Sequence, residues 1–170
     1  MKVTFPLPYF NQYDNKLYPG GSCNLTCVAM AMAKYGLPGP KMGYARLPDN
    51  LLAYADANKL SRHSLDDMDK IAERFGLKDH SSYCTSFADI KKHVKNGKPV
   101  IVHGVFTPSG HIVAIRGIDE SKGLWHVNDP AGRWNNGYRD YSSGEGVWYQ
   151  SEWFRKMIAP DGCVWAHLLN

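Results

Sequence analysis

The sequence predicts an α+β fold on three observations. Helical periodicity dominates before residue 97, β-type runs dominate after it, and one helix in the first half is apolar on nearly every side. That helix carries Leu25, Val28, Ala29 and Met32 at i, i+3, i+4 and i+7. Thr26 is the one strongly polar residue between Leu25 and Ala33, so the helix belongs at the centre of the molecule. The same periodicity predicts helices over 50–60, 65–75 and 87–94. Three β-rich runs follow, 99–106, 111–118 and 123–128. Thr107-Pro108-Ser109-Gly110 and Asp119-Glu120-Ser121-Lys122 join them as turns, which makes an antiparallel meander. A late helix is expected over 149–158 and a last strand over 163–168. Residues 130–147, rich in Gly, Asn, Ser, Tyr and Arg, form a loop longer than one without a task usually is.

Composition agrees with one globular domain over residues 1–170. With 44% hydrophobic and 21% charged residues the chain is neither disordered nor collagenous, and at this length a fold buries roughly 70% of its unfolded surface. No run of about 18 apolar residues exists, and Met1-Lys2-Val3 leads into Phe5-Pro6-Leu7-Pro8 rather than an apolar secretion segment. Membrane insertion is therefore not expected, and synthesis in the cytoplasm without a signal peptide, followed by release by another route, is. The formal charge of +4 contains no basic block, so nucleic acid is not an expected partner. A monomer without a cofactor is expected. A reducing compartment argues against a disulfide among Cys23, Cys27, Cys84 and Cys163, whereas release from it leaves one open.

The chemistry concentrates on Cys23. Tyr18-Pro19-Gly20-Gly21-Ser22 cannot continue a helix, so Cys23 stands at the N-terminus of the apolar helix, where unpaired N–H groups and the helix dipole favour a thiolate. Cys27, one turn on, falls inside that helix and is expected to be inert. A nucleophilic cysteine needs a base, and seven histidines compete. A hairpin that sets Gly117 opposite Gly123 puts His111 opposite Asp129, with Cβ atoms about 5 Å apart. A slip of one residue would send the two side chains to opposite faces. Asp129 precedes Pro130, which favours an extended strand end. The roles are then Cys23 as nucleophile, His111 as base and Asp129 as the group that orients the imidazole. Gln12, ahead of the helix, is the candidate oxyanion donor.

Four motifs carry a resemblance: Leu7-Pro8-Tyr9-Phe10-Asn11-Gln12-Tyr13-Asp14, Ser22-Cys23-Asn24-Leu25-Thr26-Cys27-Val28-Ala29-Met30, Gly110-His111-Ile112-Val113-Ala114-Ile115, and Val127-Asn128-Asp129-Pro130-Ala131-Gly132. In order and approximate spacing they resemble the papain-like cysteine peptidases related to bacteriocin leader-processing peptidases. The resemblance implies a papain-like fold, in which a central Cys-bearing helix packs on an antiparallel sheet, and cleavage of peptide or amide bonds by Gln12, Cys23, His111 and Asp129. Asn24-Leu25 stand where that family usually has Gly-Pro. Standalone proteins of this type are similar to lytic or processing hydrolases of bacteria and phages. The expected function is thus an endolysin-type peptidoglycan endopeptidase or amidase acting on the cell wall after release. The alternatives are a leader-peptide processing peptidase and a non-catalytic wall-binding or inhibitor module.

Arg133, Trp134 and Tyr138, in the long loop, are the candidate substrate contacts: the Arg for a carboxylate, the aromatics for a peptide or sugar face. Cys23 and Cys27 at i, i+4 suit a metal poorly, because structural zinc usually adds a second close ligand pair. His103, His126 and His167 are expected as hydrogen-bonded strand residues, and His63, His80 and His93 as solvated ones.

Overall fold

A computed structural model describes residues 1–170. The first half supplies α1 (Cys23–Lys34), α2 (Leu47–Ala57) and α3 (Leu65–Arg74), preceded by a short strand, β1 (Lys2–Thr4). The rest is β2 (Asp79–Thr85), α4 (Phe87–Lys95), β3 (Val100–Gly104), β4 (His111–Asp119), β5 (Leu124–Asn128), β6 (Val147–Gln150), α5 (Ser151–Ile158) and β7 (Val164–Leu169). The seven strands form one antiparallel sheet in the order β2-β7-β3-β4-β5-β6. The long β4 shares one edge between two partners, β3 along His111–Ile115 and β1 along Gly117–Asp119. No helix is long and apolar enough to cross a membrane.

The α+β reading therefore holds, with three strands that periodicity does not announce. β2 reads Asp-His-Ser-Ser-Tyr-Cys-Thr, a polar edge strand with little apolar alternation to betray it. β1 is too short for a pattern. β6 occupies the start of the expected late helix, so Tyr149 is a strand residue turned into the core and the helix begins only at Ser151.

Each face of the sheet carries its own core. Ile101, Ile112 and Ala114 pack with α1, α2 and α3, whereas Val100, Val102, Val113 and Ile115 pack with α4 and α5. All nine residues from Asn24 to Met32 are buried, as expected of a central helix.

The β4–β5 register differs from the expectation, and the difference explains how the site forms. Gly117 pairs with His126, not with Gly123, because Asp119↔Leu124 closes a turn over Glu120–Gly123 that the Asp119 carboxylate organises by accepting from Ser121 Oγ and Lys122 N. Continued unbroken, that pairing would turn Asp129 and His111 to opposite faces. A β-bulge intervenes between Ile115↔Val127 and Gly117↔His126, with Arg116 as the extra residue. The phase shifts by one, and His111, Val113 and Asp129 share a face, His111 and Asp129 as diagonal rather than direct neighbours. On β4 the residues facing α4 and α5 accordingly change from odd-numbered Val113 and Ile115 to even-numbered Ile118.

A disulfide, disfavoured in a reducing compartment and left open after release, is present. Cys84 and Cys163 form a disulfide, their Cα atoms 4.4 Å apart, because the pairing of Thr85 with Val164 brings the ends of β2 and β7 together. A separation of 79 residues conceals this neighbourhood in the sequence. Closing so long a loop restricts the unfolded chain, so replacing both cysteines by Ser should lower the unfolding free energy by about 2–5 kcal/mol in urea denaturation. Dithiothreitol should bring the native protein to the same midpoint as the double variant.

Candidate active site

Cys23 is the first residue of α1, is half-buried and lines a cleft of about 780 Å³. Its own backbone N–H has no acceptor within the chain, as first-turn N–H groups of a helix generally do not. Ahead of it, Asn15 Nδ2 donates to Ser22 Oγ and Thr26 Oγ1, both at 2.9 Å, fixing how the chain enters the helix. Arg62 Nε donates to the Gly21 carbonyl at 3.0 Å and holds the preceding loop from the other side. Cys27 is fully buried, and its thiol lies 3.5 Å from the Ile112 carbonyl that it can donate to. Burial, with Cys23 and Asp129 nearby, pushes its pKa well up, as expected of an inert thiol.

His111 opens β4 at the cleft, 6% exposed. Its Nε2 meets Asp129 Oδ1 at 2.7 Å, which leaves Nδ1 as the ring nitrogen free for another partner. Burial works against a charge on this ring. The charge and hydrogen bond of Asp129, with Cys23 acting in the same direction, outweigh burial and raise the pKa to about 10.

Asp129 is fully buried, and every donor it needs is present. Oδ1 accepts from His111 and from the Ala131 N–H at 3.1 Å, and Oδ2 from the hydroxyls of Tyr149 at 2.8 Å and Tyr138 at 3.1 Å. Burial and the carboxylate itself push both phenols upward, so they remain donors. The backbone is held as firmly: Asp129 N donates to the Gly144 carbonyl, and Tyr9 Oη donates to the Asp129 carbonyl. A Cβ on residue 144 would collide with that carbonyl and with the Tyr9 hydroxyl, so the close approach needs glycine.

Gln12 lies in a 3₁₀ turn beside Cys23 in the same cleft, its backbone N–H donating to the Pro130 carbonyl at 2.9 Å. Its Nε2 donates to the Pro19 carbonyl at 2.9 Å, which fixes the amide orientation and leaves the second N–H of that nitrogen free.

The structure thus brings Gln12, Cys23, His111 and Asp129 together. It treats the three expected substrate contacts differently. Tyr138 lines the cleft, but its hydroxyl is spent on Asp129 and its ring meets His111 edge-on at 5.6 Å. Trp134 lies outside the cleft because the 3₁₀ turn Trp134–Asn136 folds back onto α5, its ring 4.0 Å from that of Trp153. Arg133, at the cap of that turn, is exposed and also outside the cleft. Sequence reasoning missed Tyr9 and Tyr149, whose hydroxyls could be assigned only once their distance from Asp129 was known. It also missed Arg62 and His63, which reach the cleft from the α2–α3 connection. His93 is not solvated as expected; its Nε2 lies 2.8 Å from the Leu169 carbonyl.

The model of the Peptidase_C39 like family matches residues 5–153, which include all four clustered residues. The chain belongs to that family. A crystal structure of a C39-like peptidase candidate from Bacillus anthracis is similar at TM-score 0.67 and 16% identity, covering 100% of this chain and 98% of that one. This likeness is one of fold. No curated protein matches the sequence. The family is one of cysteine peptidases.

The raised His111 pKa has a consequence for stability. Its folded value lies above the roughly 6.5 of an unfolded histidine, so the His111–Asp129 pair stabilises the fold fully below about pH 6.5 and loses that effect as pH rises through about 10. Urea unfolding across that window should show the decline, and Asp129→Asn should flatten it.

Proposed function

We propose that this chain is a cysteine peptidase in which Cys23 is the nucleophile, His111 the acid–base, Asp129 the orienting anion and Gln12 the oxyanion donor. The observation that carries the reading is the fully satisfied Asp129 carboxylate bonded to His111 Nε2, which leaves Nδ1 as the free ring nitrogen in the cleft that Cys23 also lines. A charged imidazole beside a thiol favours the thiolate. The Cys23 sulfur attacks the scissile carbonyl carbon, and the oxyanion takes hydrogen bonds from the Cys23 N–H and the free N–H of Gln12. His111 Nδ1 gives its proton to the leaving amine as the C–N bond breaks. Water, deprotonated by the same nitrogen, then cleaves the acyl-enzyme and releases the acid.

For the substrate we infer peptidoglycan stem peptides, cut after the protein leaves the cytoplasm. The Cys84–Cys163 disulfide supports action in an oxidising setting, and the charge of +4 suits an anionic wall. Tyr138 flanks the reacting centre and can meet substrate with its ring edge.

Amine release from purified cell wall tests the reading. Cys23→Ala should abolish it, and Gln12→Ala should lower kcat by about 100-fold or more. Unchanged release by Cys23→Ala would refute the assignment of the nucleophile, and no release by the unaltered protein would leave a wall-binding module instead. Iodoacetamide at about pH 6 should alkylate Cys23 within minutes and spare Cys27, as peptide mass mapping would report.

A further inference from the structure

A second buried carboxylate–histidine pair lies outside the machinery described above. Asp79 on β2 and His167 on β7 are both almost fully buried, with Asp79 Oδ2 2.6 Å from His167 Nδ1. The other nitrogen of His167, Nε2, lies 3.1 Å from Nε2 of His103 on β3. His103 lines the same cleft as Cys23 and His111, one residue along β3 from Gly104, the partner of His111. Its Nδ1 makes no hydrogen bond within the protein.

Proton counting restricts what this row can do. Each of the two hydrogen bonds holds one proton. In one arrangement His167 donates from Nδ1 to the Asp79 carboxylate, His103 donates from Nε2 to His167, and His103 Nδ1 is a bare acceptor. If the row gains one proton, His167 carries both of its protons against the carboxylate and donates from Nε2, and His103 carries its single proton on Nδ1. The cleft sees a neutral imidazole in both arrangements, once as acceptor and once as donor. Burial, with His167 alongside, depresses the pKa of His103 to about 3 and keeps charge off its ring. Asp79 Oδ1 is buried without a partner and burial pushes the pKa of this carboxyl up, with His167 the group that opposes the shift. Other ionisable groups nearby are Asp69 and Glu73 behind Asp79, and Cys23, His63, His111 and Arg62 in the cleft.

We propose that Asp79, His167 and His103 form a proton-sharing row that makes His103 Nδ1 a second recognition point for peptide substrate, accepting from a backbone N–H or donating to a backbone C=O. The ligand assigned here rests on the peptidase reading; the row itself does not. The test therefore has two arms. In Cys23→Ala protein, imidazole ¹⁵N NMR across the pH range in which the fold persists should find His103 neutral throughout, passing from the Nε2–H to the Nδ1–H form as pH falls. Asp79→Asn should suppress that passage. A His103 protonated on both nitrogens, or one fixed in a single tautomer at every pH, would overturn the row. In the second arm, a proteome-derived peptide mixture is digested and the fragments are followed by mass spectrometry. His103→Phe should raise KM about tenfold with kcat within about twofold, and His103→Gln, which keeps a donor and an acceptor, should recover most of the loss. An unchanged KM in His103→Phe, or a loss confined to kcat, would refute the recognition role. A wild-type protein that cleaves neither cell wall nor peptides would end the peptidase reading and with it the assigned ligand, while the NMR arm would still decide the row.

Discussion

The arrangement depends on one buried anion. Asp129 has no exposure to water, and a carboxylate in that position without partners would cost roughly several kcal/mol. The chain meets the demand with four donors from three places: His111 at the start of β4, Ala131 and Tyr138 in the loop that follows Asp129, and Tyr149 on β6. The same contacts explain why the 130–146 segment is long. It must travel far enough to return Tyr138 and Gly144 to the residue it started from, and the left-handed backbone at Tyr138, with φ at 57°, belongs to that return path.

The sheet is phased to serve this contact. A strand presents alternate residues to alternate faces, so a histidine and a carboxylate on neighbouring strands meet only when the parity of their register is right. The turn over Glu120–Gly123 establishes the wrong parity, and the single extra residue at Arg116 restores the right one. Bulged strands are commonly found beside active sites for this reason: one inserted residue re-aims every side chain beyond it.

Legibility in the sequence followed the physical range of each interaction. The buried α1 and the strands around His111 are written in apolar periodicity, which local residues set. The polar edge strand β2 and the four-residue β6 are not, because their pairing partners rather than their composition make them strands. Among the site residues, the side chains of Cys23, His111, Asp129 and Gln12 could be nominated from helix-start chemistry and turn spacing. Expecting His111 directly opposite Asp129 was off by two places, an error that happened to preserve the face. Trp134 and Arg133 stand outside the cleft, a placement the sequence could not show because loop residues follow no period and a 3₁₀ turn decides which way they point.

By itself the sequence determined the elements that local forces build: an apolar helix begun by a cysteine, a meander bearing a histidine, and an aspartate fixed before a proline. Tertiary structure alone decided the disulfide, the bulge, the three tyrosine hydroxyls around one aspartate residue, and the row from Asp79 to His103. Each of these joins residues brought together only by strand pairing or loop return, and the energies that select them, burial of charge and closure of long loops, exist only once the chain has folded.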